Sequence, residues 1–478
     1  MSSAVRSPTR LGTAEDASAM PIEALADLDV LLQRRATDPL IRERISEDAF
    51  VERALTELEH RPYGCLLDSA GPVGARARTS LQAEAPLALF YQDTNRVTLR
   101  PFGTAARGTP LTVPLSEFAA WVEDFHGRGY GDAGPALFPL LTYEAFNPYV
   151  NPSLPHPTWG LPEAVWLLAG HTAVYDREVG LLTRRHAPET GEPPAPPATE
   201  PTAVPLGWRE SEIEYGEKIR QVQHHIFEGN FYQANLSQRF LGETPQPPTA
   251  TYRLLRDLNP SPFMGLFRIG ETWVVSGSPE RLVDKRGAHL SARPIAGTKP
   301  RFAHDTQADA ASRHDLCTSE KERAEHLMLV DLLRNDLGRV SAPGTVRVAE
   351  FSVVETYSHV HHLVSQIVGE LADDADLFDL IAAVFPGGTI TGAPKIACMQ
   401  TLVALEREAR GPYTGSFGYI DSNGHMDLNI LIRTMIQHGR RVCFHGGGGI
   451  VADSCHDAEY LETRQKCAAL MEALNIRA

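Results

Sequence analysis

At 478 residues the chain is longer than one ordinary domain, and its 42% hydrophobic and 22% charged residues are the balance of a globular protein with a sizeable core. A formal net charge of −15 opposes nucleic-acid binding, which needs a basic surface to displace counterions, and no apolar run approaches the roughly 20 residues of a membrane span. Six scattered cysteines with no close Cys-x-x-Cys pair argue against a zinc site and a disulfide framework, and read as reduced and mostly structural.

Residues 1–20 hold no apolar segment between a basic start and a cleavage site, which points to a frayed, disordered terminus on a cytoplasmic protein. Residues 21–186 mix helical stretches with short strand-like segments such as Leu87 to Tyr91. Residues 187–207 carry seven prolines between Pro188 and Pro205, too many for a helix or central strand, and are expected to form a linker or surface loop. The remaining span, 208–478, opens with a predicted helix over Glu212 to Glu228, stopped by Gly229-Asn230. Phe231 to Phe240 alternates like a strand, and Trp273 to Ser276 with Arg281 to Asp284 predict a hairpin around Gly277-Ser278-Pro279. The apolar spacing of Leu327, Leu329, Val330, Leu333 and Leu337 predicts a helix over Glu320 to Leu337; a second is expected over Asp457 to Leu474, after the glycine run Gly446 to Gly449. Strands and helices without a regular strand-helix repeat favour an α+β architecture over a doubly wound parallel sheet.

Both predicted helices carry a Glu-x-x-Glu pair, Glu322 with Glu325 and Glu459 with Glu462. Positions three apart share a helix face, so each pair can aim its carboxylates at one spot, and carboxylates without a cysteine companion suit a hard cation such as Mg2+. Such pairs are also common on solvated faces. Lys466 follows Glu462 by one turn and adds a cation to the same face, suited to an anionic ligand. In HGGGGIVADS the glycines would let backbone amides approach a ligand, or else mark a tight bend beside a strand. The second glycine-rich stretch, FPGGTITGAPK, has neither phosphate-loop spacing nor the setting of a dinucleotide turn, so nucleotide binding is disfavoured.

From about Trp208 to Leu474 the segments YQANLSQRF, SPERL, RPIAGTKPR, AEHLMLVDLLRNDLGRV, YSHVHHLVS, FPGGTITGAPK, YTGSFGYI, LNILIRT, GGGIVADS and ETRQK occur in that order. In these motifs the chain resembles the chorismate-utilising enzymes. The resemblance implies large mixed or antiparallel sheets packed with helices around a central active-site cleft. It makes Glu325 and Glu462 the principal Mg2+ ligands, with Glu322 and Glu459 close by. It also makes Arg433, Lys466, Tyr413, Thr298 and the amide of Gly449 binders of the substrate, and places His362 in the active site. By the same likeness Glu280 is the general acid that protonates the departing C4 hydroxyl of chorismate, a step that needs a carboxyl whose pKa is raised by burial. Leu66 to Ala70, reading LLDSA, resembles the tryptophan-site motif of some members.

Two positions bear on which member the chain resembles. Gln233 stands where water-using members place a lysine base, and a neutral amide cannot take a proton from water, so ammonia is the expected nucleophile. Ala296 stands where many members that aminate C4 carry a lysine, and agrees with members that release pyruvate to form anthranilate. The wording of FPGGTITGAPK, GGGIVADS and MDLNILIRT leans the other way, to amination at C4 with 4-amino-4-deoxychorismate as product. No glutaminase nucleophile is evident, so a separate glutamine amidotransferase subunit is the expected source of ammonia. A catalytically inactive regulatory relative would have lost a metal glutamate, Arg433 or the acid, and this chain keeps them all.

Overall fold

The computed structural model describes residues 23–72, 77–102, 110–150, 154–186, 206–302, 304–356 and 360–476. The terminus expected to be disordered and most of the proline-rich segment lie outside these residues; Gly207 at the latter's end pairs with Leu241 and, with Trp208, forms a two-residue strand. The architecture is α+β, with antiparallel strand pairings linked into one continuous network and helices packed against it. No described helix is long and apolar enough to cross a membrane. Cys65, Cys398, Cys443 and Cys467 are buried, Cys317 and Cys455 are exposed, and all six are free thiols.

The two sides of the proline-rich segment build shared sheets. Strand Tyr63–Asp68 pairs with Met264–Ile269, and Ala136–Leu141 pairs with Ser416–Asp421. Aromatic packing crosses the same boundary, since Trp166 stacks on Phe378 with centroids 5.4 Å apart and Phe118 meets Phe378 edge-on at 6.1 Å. By the cost of truncating buried rings of this size, each contributes about 3–5 kcal/mol. The segment expected at Leu87 to Tyr91 is the middle of a 15-residue strand, Thr79–Asp93, whose register shifts between Pro86 and Ala88. Ala85 there has φ 46°, the left-handed backbone of a bulge that accommodates a proline unable to donate to the ladder.

The expected hairpin does not form. Thr272–Ser276 pairs with Met264–Ile269 and Thr434–His438, whereas Arg281–Arg286 pairs with His289–Ala292 and His425–Asn429. The segment between them is stitched outward: Gly277 N donates to Arg433 O at 3.0 Å, Ile430 N donates to Glu280 O at 3.0 Å, and Ser278 Oγ donates to Ile430 O at 2.5 Å. Pro279 has no N–H with which to close a tight turn. This crossing sets Glu280 beside Arg433. The C-terminal helix also differs from expectation, for it divides at Cys467 into His456–Lys466 and Ala468–Ala473. Cys467 N bonds Arg464 O, a tightened final turn that re-aims the chain.

Candidate active site

Gly446 to Gly449 lie inside the strand Arg441–Ile450 and do not form the bend that was one reading of them. One edge of this glycine strand pairs along its length with Gln233–Glu243. The other pairs with Thr434–His438 only as far as Phe444, and no described strand covers it beyond. Lys466 Nζ donates to Gly447 O at 3.1 Å, so that carbonyl points to the open edge. Two residues on, the Gly449 N–H therefore points the same way, since alternate residues of a strand direct their polar groups to one side. Consistently, its partner Asn235 sends its own N–H to Thr391 O.

Both faces of the strand are occupied as closely as glycine allows. On one face a Cβ at Gly447 would collide with Tyr413 Oη, and a Cβ at Gly449 would collide with Gln233 Nε2. On the opposite face a Cβ at Gly448 would lie 3.1 Å from Glu459 Oε2 and 3.9 Å from Lys466 Nζ. Lys466 also pairs with Glu462 at 2.8 Å, as their spacing on the helix anticipated. Glu459 is buried and accepts from Ser454 Oγ at 2.8 Å, while Glu462 is exposed.

A second group gathers at Arg433. Glu280 is only 7% exposed, and burial raises its pKa to about 7 against the opposing pulls of the Thr389 hydrogen bond and the Arg433 charge. Thr389 Oγ1 donates to Glu280 Oε1 at 3.4 Å. Burial lowers the Arg433 pKa, with Glu280 opposing the shift, and burial together with the Arg433 charge keeps His362 below its usual range. His362 Nδ1 lies 3.5 Å from Gly297 O, and a carbonyl only accepts, so Nδ1 carries the proton and Nε2 is the accepting nitrogen. Arg433 and Thr414 hold φ of 51° and 61°, conformations that cost on the order of 1–3 kcal/mol and persist where surroundings over-determine them.

Gly297 links this group to the second acidic helix. Its φ of +68° and the register shift between Ala296 and Thr298 make it a bulge, and a Cβ there would stand 2.7 Å from Glu322 Oε2. Buried Ala296 pairs with Leu363, and Thr298 pairs with His362. Glu322 and Glu325 are half-buried on the helix Glu320–Gly338, capped by Ser319 Oγ. The turn Gly388–Ile390, from FPGGTITGAPK, touches both that helix and the glycine strand.

Thus the structure brings Glu280, Arg433 and His362 into one neighbourhood, Glu322 to Gly297, and Glu459, Glu462 and Lys466 to the glycine strand. It does not collect the four glutamates into a tight cluster. Among the described residues, three ligand atoms gather within 4.8 Å only at Asp93, His156 and Glu163. Two of that trio, Asp93 and His156, are exposed, and buried Glu163 is already engaged by Thr94 N and Asn147 Nδ2.

With this geometry in place, similarity to known proteins can be weighed. A family model described as chorismate binding enzyme matches residues 92–472. The chain belongs to this family. Aminodeoxychorismate synthase component 1 of Salmonella typhimurium is 43% identical over 449 residues, covering 88% of this chain and 95% of that one. Anthranilate synthase component 1 of Streptomyces coelicolor is 36% identical over 500 residues, covering 96% and 93%. Other curated relatives reach 45% identity over shorter stretches, and the chain spans only about half their length. The crystal structure of anthranilate synthase component I from Streptococcus pneumoniae superposes with a TM-score of 0.70 at 29% identity, over 84% of this chain and 93% of that one.

Several residues of the candidate site escaped the sequence reading. Thr389 was quoted only as part of a motif, yet its hydroxyl donates to the Glu280 carboxyl group. Arg410 forms a buried hub, bonding Glu406 through Nε and Nη2 and the Asn235 carbonyl through Nη2 at 2.6 Å, close to Tyr413. Glu144, from the N-terminal half, accepts from Arg410 N and Gly411 N and is raised by burial to about 7. Glu144 could have been noticed as a lone charge in the apolar run LLTYEAF, whereas Arg410, among Glu406, Arg407 and Glu408, carries no such signal. The LLDSA segment lies elsewhere: Leu67, Asp68 and Ser69 line a cavity of about 450 Å³ between sheets, whose walls include Arg281 and Asp427. Asp68 is buried there, held by Tyr252 Oη at 2.7 Å and Arg256 Nε at 2.8 Å.

Proposed function

We propose that this chain is component I of an aminodeoxychorismate synthase, which joins chorismate and ammonia into 4-amino-4-deoxychorismate, a precursor of 4-aminobenzoate and folate. The observation that carries the reading is the near-full-length identity of 43% to a protein of that name, against 36% to an anthranilate synthase component over a similar span. The relatives' designation as component 1 supports a second, glutamine-hydrolysing subunit that supplies the ammonia.

In this reading Arg433, Lys466, Tyr413, Thr298 and the outward Gly449 amide bind and orient the substrate's carboxylates, Arg433 offering a planar fork suited to a carboxylate. Glu280 delivers its proton to the C4 oxygen as the C4–O bond breaks, and the hydroxyl leaves as water. Nitrogen's lone pair forms the new C–N bond, and the ammonium so produced loses a proton. Ala296 offers no amine, so nitrogen does not enter by way of a lysine adduct at that position. Gln233, neutral over the glycine strand, leaves water without a base. The all-oxygen donor set of Glu322, Glu325, Glu459 and Glu462, two of them over glycines that clear space, fits Mg2+. When bound, Mg2+ would offset the charge of the dianionic substrate.

Ala296 favours a second reading, anthranilate synthase component I, and product analysis separates the two. Purified chain with chorismate, Mg2+ and ammonium at alkaline pH is expected to yield a product that aminodeoxychorismate lyase converts to 4-aminobenzoate. Glutamine in place of ammonium is expected to yield none. Fluorescent anthranilate and pyruvate in equal amounts, without lyase, would install the second reading.

A further inference from the structure

Tyr413 has two soft side-chain torsions, and beneath its hydroxyl lies Gly447, which has no side chain to wedge the ring. Something else must fix its plane. The His445 imidazole lies parallel to it, with centroids 5.1 Å apart and planes within 10°. His445 sits two residues before Gly447 on the same face of the glycine strand, so the stack and the hydroxyl's landing place belong to one rigid element.

The histidine is itself registered. Its Nδ1 lies 3.5 Å from Ser237 Oγ, and that hydroxyl donates to Glu406 Oε1 at 2.8 Å, as does Ser237 N. With its proton so committed, Ser237 Oγ is left to accept, so Nδ1 of the ring is the donor. Glu406 is held by Arg410, whose guanidinium lies 5.8 Å from the Tyr413 ring centroid. Burial and the charges of Arg239 and Arg410 keep the imidazole neutral, as a flat stacking partner requires.

We infer that His445 is a positioning residue, stacking Tyr413 so that the phenol hydroxyl is held over the glycine strand, where it meets a carboxylate of the substrate. The inference rests on the reading of Tyr413 as a substrate binder. It adds a residue that acts only through Tyr413 and touches no substrate.

The test compares KM for chorismate and kcat in His445→Leu, His445→Phe, Tyr413→Phe and the Tyr413→Phe/His445→Leu double variant, with thermal melts of each. Leucine fills the space without a ring face, and phenylalanine restores one. His445→Leu should raise KM about 3- to 10-fold with kcat little changed, the worth of an oriented aromatic pair, and His445→Phe should restore most of the loss. In the Tyr413→Phe background, His445→Leu should change KM by less than about twofold, because non-additivity marks residues that act as a unit. A raised KM in Tyr413→Phe alongside an unchanged KM in His445→Leu would overturn the positioning role and leave the binding role standing. Fully additive effects would reduce His445 to a packing residue. An unchanged KM in Tyr413→Phe would remove the binding role and the inference with it.

Discussion

Replacing Glu280 by glutamine is expected to lower kcat by about 10²- to 10⁴-fold while the fold persists, the range that a positioned general acid contributes. Glutamine keeps the shape and can still take the Thr389 hydrogen bond, but it cannot surrender a proton to a departing hydroxide. The raised pKa of about 7 gives the role a pH signature. Below that value the carboxyl is protonated and competent; above it the acid is spent. Ammonia availability runs the opposite way, so rates must be divided by the free NH₃ concentration. The normalised kcat/KM should then fall as pH rises through about 7 in the wild type and lose that limb in Glu280→Gln. Stability follows the same proton. Between the ordinary glutamate pKa of 4.5 and about 7 the folded chain retains a proton that the unfolded chain has released, so this group's contribution declines as pH rises through the window. A normalised profile that stays flat from pH 6 to 8.5 in the wild type would end the assignment.

Glu325→Ala and Glu462→Ala are each expected to drop turnover to background, with little change in melting temperature. Glu462 is exposed and its pair with Lys466 is an i,i+4 surface contact, worth about 0.3–0.5 kcal/mol to stability. Its loss should therefore be nearly invisible to a thermal melt. For activity the same carboxylate is expected to matter greatly, because an anionic ligand lost from a hard-cation site weakens the ion that offsets substrate charge. Raising Mg2+ should recover part of the rate in the variants, whereas at low Mg2+ they should be silent. Near wild-type rates in both variants at low Mg2+ would remove the metal assignment. The contrast between a small stability effect and a complete activity effect is what separates this role from a solvated-face pair.

Local patterns were legible where the chemistry is local. The helix Glu212–Phe227, with its Ser211 to Glu214 capping box, and the helix Glu320–Gly338 fall within a residue or so of their predicted ends. A strand was expected over Phe231 to Phe240 and runs over Gln233–Glu243, although its residues are buried on both faces rather than alternately. What failed was partner choice. Two short strands separated by Gly-Ser-Pro look like a hairpin in sequence, yet each pairs instead with its other neighbour in sequence and with one strand far along the chain, and nothing in the four intervening residues announces the 430–433 segment to which they are stitched. The site shows the same division. Glu462 and Lys466 share a helix turn and could be paired from spacing, whereas Thr389 with Glu280, or Gly297 with Glu322, meet only through the tertiary fold. Buried Arg410 and Glu144 and half-buried Glu406 are satisfied by one another and by backbone, a pattern that becomes visible only once the partners are in place.

The glycine strand has a consequence for how enzymes of this design can diversify. With Tyr413 and Gln233 pressed against one face, and the helix His456–Lys466 with its Glu459 and Lys466 against the other, it is a partition one backbone thick. Adding even a methyl group at Gly446, Gly447 or Gly449 would displace a neighbour from one compartment, and at Gly448 it would crowd Glu459. The segment nearest the proposed ligand thus has no side chains to vary. A change in substrate or nucleophile must be written at the surrounding positions, such as Gln233 or Ala296, while the partition itself stays blank.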